Sequence, residues 1–359
     1  MDHNPRLRQV QAAIAERRLH AFLVSYLPNI RYLCGFTGSA GVLVITARDT
    51  ILFTDGRYTE QAKQEVDGAK VKIVKKAALA AAAEWLKKHA SLRRIGFESA
   101  HMTVVERALL AKTIGRSANL VAAPPIAEPL RMIKDAEEIA CIRAACQLGV
   151  QLFRKLTGKL RPGMTESAVA GELEFAARQA GVEQMAFPTI IAAGERSALP
   201  HGRASNARIS PEGFVVCDFG VILAGYCSDM TRTVHVGRPQ SDARSAYEAV
   251  REAQQAALDA VKPGATTGDV DHAARKLLYN SKLGQFFTHS TGHGLGLEIH
   301  EAPKIAAAQK QVLRPGMVIT IEPGVYLPGK WGVRIEDTVV VTETGCEILT
   351  ACPKDLLTL

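Results

Sequence analysis

The stretch FVVCDFGVILAGYCSDMTRTVHV, residues 214–236, is two β-rich runs around a short turn. A hairpin centred on Leu223-Ala224 sets Asp218 directly opposite Asp229. Directly opposed residues on one face have Cβ atoms about 4.5–5.5 Å apart, where like charges destabilise the sheet. A divalent cation removes that penalty. The pattern recurs in MVITIEPGVYLPGKWGVRIEDTVVV, residues 317–341. A turn centred on Gly329 sets Glu322 opposite Glu336, and Arg334 shares the face of Glu336 because strand side chains alternate with period two.

A related segment precedes each hairpin. GKLRPGMTESAVAGELEFAARQAG (158–181) resembles DAVKPGATTGDVDHAARKLLYNSKLG (259–284), with Pro162-Gly163 matching Pro263-Gly264 and Thr165 matching Thr266 at an offset of 101. In both, a turn leads into an amphipathic helix. Asp218 and Glu322 stand 104 residues apart, close to that offset. The second part of the chain therefore reads as two related halves, each offering a pair of facing acids.

Between the hairpins lies FTHSTGHGLGLEIHEAP, residues 287–303, which gathers His289, His293 and His300 around Gly292, Gly294 and Gly296. Glycine is a poor helix former, so the histidines are expected on an irregular or extended backbone kept bare for the approach of a metal or a substrate. Asp218, Asp229, Glu322, Glu336 and His293 together make a five-ligand set. Hard oxygens with one imidazole suit Mn, Co or Fe, with Zn as a further candidate. Two ions bridged by carboxylates are a hydrolytic arrangement.

At 359 residues the chain is long enough for two domains. Residues 1–125 alternate strand and helix patterns. HAFLVSY, AGVLVIT, DTILFTD, KVKIVKK and RIGFES read as strands, and GRYTEQAKQEV and the Ala-rich ALAAAAEWLKKHA as helices. This is an α/β domain. Three prolines follow at 124, 125 and 129, so residues 126–132 are expected to be a linker and 133–359 a second domain.

The net charge of +8 is scattered as pairs such as Lys75-Lys76 and Arg93-Arg94. No basic stripe with interleaved aromatics occurs, so nucleic acid is not an expected partner. Seven cysteines without a CxxC pair argue against a disulfide framework and for a reducing, cytoplasmic setting. No apolar run reaches membrane-spanning length, and the N-terminus has no apolar signal core.

The block HSTGHGLGLEIHE (289–301), with DFG and GYCSDMTRT of the first hairpin and IEPG and GVRIED of the second, resembles the motifs of the proline-specific pita-bread metallopeptidases, the group containing Xaa-Pro aminopeptidase and Xaa-Pro dipeptidase (prolidase). NIRYLCGFTGSAG and FTDGRYTEQA are similar to that group's N-terminal domain. The resemblance implies an α/β (α+β) fold, with a mixed-sheet N-terminal domain before a pita-bread catalytic domain of pseudo-twofold halves. It implies two divalent ions per subunit, Mn first, on Asp218, Asp229, His293, Glu322 and Glu336. It also implies substrate-contacting or supporting roles for His201, His289, His300 and Arg334, and proton transfer by Glu322. Short proline-containing peptides are the implied substrates and a homodimer the implied assembly. Relatives that have become metal-free, creatinase-like or peptide-binding are expected to have lost several ligands, whereas all five stand here.

Within the group, an aminopeptidase acting on longer peptides is expected first and the dipeptidase second. A dipeptidase must bind a carboxylate directly after proline, a task suited to arginine. Prolidase-like relatives often carry an arginine just after the HE-x-P turn, where this chain has Lys304.

Overall fold

The computed structural model describes all 359 residues. They form two compact units, Met1–Arg131 and Met132–Leu359.

The first unit runs α1 (Asn4–Glu16), β1 (Ala21–Val24), α2 (Leu27–Cys34), β2 (Gly41–Thr46), β3 (Thr50–Asp55), α3 (Thr59–Glu65), β4 (Lys70–Val74), α4 (Ala78–Lys88), β5 (Arg94–Glu98), α5 (Val104–Ile114), β6 (Asn119–Ala123) and α6 (Ala127–Arg131). Its six strands form one mixed sheet in the order β4-β3-β2-β1-β5-β6. The central strands are buried almost throughout, which is why they read as unbroken apolar runs. Four elements gave no clear sequence pattern, one of them α6, which lies within residues 126–132, the stretch expected to be a linker. Helix α2 is only eight residues, starts with proline in its first turn and stops at Gly35 with φ +80°, as a short capped helix does. Helix α5 exposes Val104 and Val105, which breaks its amphipathic pattern. Strand β6 is largely uncovered.

The second unit begins with α7 (Ala136–Lys159), whose Asp135 and Glu138 form a capping box, and α8 (Glu166–Gln179). Then come β7 (Gln184–Met185), β8 (Ile190–Ala193), β9 (Gly213–Phe219), β10 (Val221–Leu223), β11 (Tyr226–Cys227) and β12 (Met230–Val236). The second half has α9 (Ser241–Ala260), α10 (Thr267–Asn280), β13 (Gly292–Gly294), β14 (Glu301–Ile305), β15 (Val318–Ile321), β16 (Gly324–Leu327), β17 (Trp331–Arg334), β18 (Asp337–Val341) and β19 (Cys346–Ile348).

The two halves match in detail. Thr165 and Thr266 cap α8 and α10, both 14 residues long. Gly163 and Gly264 turn the chain with φ +85° and +87°, a conformation glycine adopts freely. Their amides donate to Ile209 O and Leu313 O. Phe153, Leu156, Val169 and Leu173 of α7 and α8 pack on Val215, Cys217 and Met230 of β9 and β12. Tyr247, Val250, Val270 and Leu278 of α9 and α10 pack on Ile319, Ile321 and Val339 of β15 and β18. Each helix pair thus backs a sheet whose hairpin carries two acids. All seven cysteines are free.

Candidate metal centre

The second hairpin has the expected register. Val325 pairs with Val333 and Gly324 with Arg334, while below them Ile321 pairs with Asp337. Glu322 and Glu336 face each other between these two ladders. There the strands part: Glu322 N donates to Thr291 O at 2.7 Å and Glu336 N to Thr231 O at 3.1 Å.

The first hairpin departs from expectation. Asp218 lies opposite Thr231, not Asp229, and Leu223 pairs with Tyr226. The turn is centred on Ala224-Gly225, with φ +49° and +77°, because a two-residue turn with both φ positive matches strand twist and favours glycine at its second position. A shift of two leaves every side chain on its face. Asp218 and Asp229 are therefore diagonal neighbours, still pointing the same way.

The four acids and His293 line one cavity of about 630 Å³, together with His201, His289, His300, Arg334, Arg203, Lys304, Phe187, Pro188, Ile190 and Ile299. Asp229, His293 and Glu336 bring ligand atoms within 4.8 Å of one another. His293 Nδ1 faces Gly294 O at 3.0 Å, so it donates, and Nε2 is left with its lone pair. Burial holds the ring below its ordinary pKa and therefore neutral. That lone pair faces Glu322 Oε1 at 3.3 Å and Asp229 Oδ2 at 3.7 Å, an arrangement of acceptors that a cation satisfies.

The acids show the same strain. Asp229 Oδ1 and Glu336 Oε1 are buried without a hydrogen-bond partner. Burial, then the charge of Glu336, pushes Asp229 well above the carboxylate range. Burial, then Glu322, does the same to Glu336. Burial raises Glu322 to about 7 against the opposing effect of Arg334. Oxygen-rich ligands with unfilled lone pairs and one imidazole fit a hard or borderline divalent cation.

Arg334 does not reach Glu336 directly. Its Nη2 bonds Asp218 Oδ2 at 2.5 Å, its Nη1 bonds Tyr326 Oη at 2.6 Å and Pro200 O at 3.1 Å, and its Nε bonds Thr231 Oγ1 at 3.1 Å. Thr231 Oγ1 in turn donates to Glu336 Oε2 at 2.7 Å. Thr231 is thus the link between the arginine and the second acid pair.

His289 and His293 are not neighbours on a helix. His289 Nδ1 faces Ser290 O at 2.7 Å and its Nε2 faces Tyr326 Oη at 2.9 Å. Burial, then Arg334, lowers its pKa to about 4, so the ring is neutral, Nδ1 donates and Tyr326 donates to Nε2. Both nitrogens are occupied, and what His289 offers the cavity is a ring surface. His201 and His300 are exposed at the cavity wall, and His300 lies edge-on to His293 at 4.4 Å between centroids. The alternating glycines serve the backbone rather than an ion: a Cβ on Gly292 would lie 1.9 Å from Thr320 O, and one on Gly294 2.2 Å from Ala302 O.

Tyr326 was not singled out from sequence. Its signal was its place four residues after Glu322, on the same strand face.

Comparison with known proteins gives a consistent likeness. The family described as "Metallopeptidase family M24" matches residues 140–343, and the "Creatinase/Prolidase N-terminal domain" matches residues 6–133. The Xaa-Pro dipeptidase of Pyrococcus horikoshii is 36% identical over 99% of both chains. A solved Xaa-Pro dipeptidase from Bacillus anthracis superposes with a TM-score of 0.96 at 37% identity, covering 100% of both chains. An X-Pro aminopeptidase from Thermotoga maritima gives 0.90 at 36% identity, again over 100% of both.

Proposed function

This chain belongs to metallopeptidase family M24, and we propose that it is a metal-dependent Xaa-Pro dipeptidase. The observation that carries the metal part is His293 Nε2 held toward Glu322 and Asp229. Asp218, Asp229, His293, Glu322 and Glu336 would hold two divalent ions, with Mn the first candidate and Co, Zn or Fe the others. When bound, such ions lower the pKa of water and balance charge on a reacting carbonyl oxygen.

The chain's own residues supply the rest. Glu322 takes the proton of the attacking water and passes it to the leaving proline nitrogen. His300 donates to the carbonyl oxygen as it gains charge. The nitrogen of an Xaa-Pro bond carries no N–H, so proline is selected by shape. His289, with both nitrogens occupied, and the apolar side chains of Phe187, Ile190 and Ile299 provide such a wall. Arg334, through Asp218 and Thr231, orients the carboxylates.

The dipeptidase displaces the aminopeptidase that Lys304 suggested. Its support is the likeness to Xaa-Pro dipeptidases along the whole chain. Arg203 lines the same cavity as Lys304 and supplies the arginine that suits the free carboxylate of a dipeptide. The likeness to an X-Pro aminopeptidase keeps the longer-peptide activity as the second reading. Comparing kcat/KM on Ala-Pro and Ala-Pro-Ala tests the order: the dipeptide is preferred if the first reading holds, and the tripeptide if the second does.

A further inference from the structure

His201 sits on a tight turn whose two flanking carbonyls are each gripped by an arginine. On one side Arg334 Nη1 bonds Pro200 O at 3.1 Å, tying the turn to Asp218 and the acid cluster. On the other side Arg196 Nη2 bonds Arg203 O at 2.9 Å. Arg196 is fixed in turn by Glu166, the first residue of α8, whose side chain is fully buried. The Glu166 carboxylate accepts from Arg196 Nε at 3.1 and 3.0 Å, Ala193 N at 2.9 Å, Ser205 N at 3.0 Å and Ser205 Oγ at 2.6 Å. These donors lie on both sides of His201 in the chain, so one buried group closes the loop that carries it.

The second half repeats the device with different residues. Asp271 of α10, buried, accepts from Arg275 Nε at 2.9 Å and Nη2 at 2.8 Å and from Thr291 Oγ1 at 2.8 Å. Arg275 donates on to Phe287 O at 3.2 Å and His289 O at 3.0 Å. In each half a buried carboxylate on the capped helix holds an arginine; Arg275 holds the backbone of the cavity histidine His289 itself, and Arg196 holds the carbonyl of Arg203, two residues after His201. Glu166 and Asp271 stand at different turns of their helices, so the likeness lies in the architecture and not in matched sequence positions.

We infer that Glu166 is a positioning residue for substrate, acting through Arg196 on the turn that presents His201 and Arg203 to the cavity. The inference rests on the proposed Xaa-Pro hydrolysis, in which His201, on the cavity wall, would contact the substrate. Glu166→Gln keeps the size of the side chain but replaces an oxygen acceptor with an NH₂ donor among donors, and it removes the charge that holds Arg196. The turn then loses one of its two grips while the Arg334 side and the acid cluster stay in place.

The test is a double-mutant cycle of Glu166→Gln and His201→Ala on Ala-Pro, with melting temperature and metal content measured for each chain. Glu166→Gln is expected to lower kcat/KM about tenfold, mainly through KM, within the roughly hundredfold that a misplacement of about 1 Å can cost. Bound metal stays unchanged. In the His201→Ala background the further loss is less than about twofold, because the group being positioned is gone. Losses that multiply in the double variant, or a Glu166→Gln chain that melts lower with unchanged KM, overturn the inference. Arg196→Gln, which leaves Glu166 its backbone and serine donors, carries the same cycle if Glu166→Gln does not fold. Failure of the wild-type chain to hydrolyse Ala-Pro refutes the reading beneath; a multiplicative cycle on an active wild type refutes only the role of Glu166.

Discussion

Glu336→Gln is expected to change stability in opposite directions with and without metal. Glu336 is 2% exposed and its Oε1 has no hydrogen-bond partner. Burial, then the charges of Glu322 and Asp218, raises its pKa well above 4.5. The folded chain therefore keeps a proton that the unfolded chain has released, and stability falls as pH rises. Each pH unit over which the folded chain keeps that proton is worth about 1.4 kcal/mol. Glutamine holds no such proton. The chelated variant is expected to melt above the chelated wild type at pH 7, by roughly 3–6 °C for each such unit at about 2–4 °C per kcal/mol, with the gap closing toward pH 4.5. Saturating metal reverses the order. At one thousand times its Kd an ion stabilises the wild type by about 4.1 kcal/mol, and the variant, lacking one charged ligand, gains little. Calorimetric melts of both chains at pH 5 and 7, with chelator and with Mn²⁺, read all four states. A chelated variant that melts lower than chelated wild type, or one that gains as much from Mn²⁺, refutes the reasoning.

Three further outcomes are expected. Gly292→Ala, whose new Cβ would lie 1.9 Å from Thr320 O, forces β13 from β15 and costs about 3 kcal/mol or more; a chemical melt within 1 kcal/mol of wild type contradicts the packing account. His289→Ala raises KM for Ala-Pro and leaves bound metal unchanged, because both ring nitrogens are already bonded; atomic absorption showing lost metal would make His289 a ligand instead. Arg203→Gln and Lys304→Gln lower kcat/KM on Ala-Pro more than on Ala-Pro-amide, since a hydrogen bond to a charged group is worth about 1.5–3 kcal/mol; equal losses on both substrates exclude these residues as the carboxylate contacts.

What was legible in the sequence follows from how local each determinant is. The second hairpin reads correctly because its apolar runs are symmetric about Gly329, and the register below the acids continues the one above. The first was displaced by two because the turn is set by positive φ at Ala224 and Gly225, a demand that Leu223 would resist. The acids survived the error because the shift was even. Gly292 and Gly294 are bare for the carbonyls of Thr320 and Ala302, which lie 28 and 8 residues away along the chain and leave no mark beside them. Glu166 reads locally as an acid in the first turn of a helix, a common preference; its donors come from residues 193–205, and only the folded chain brings them together.

The account rests most directly on proline release from Ala-Pro by chelated protein to which metal is returned. The purified chain is stripped of metal, given Mn²⁺ or left bare, and assayed on Ala-Pro, Ala-Pro-Ala and Ala-Ala. The account predicts no hydrolysis without metal and, with Mn²⁺, release of proline from Ala-Pro at a kcat/KM at least about tenfold that on Ala-Pro-Ala, a difference of roughly 1.4 kcal/mol, with Ala-Ala uncut. Hydrolysis that persists in chelator, or no release of proline with Mn²⁺ or any of the other candidate ions, would contradict it.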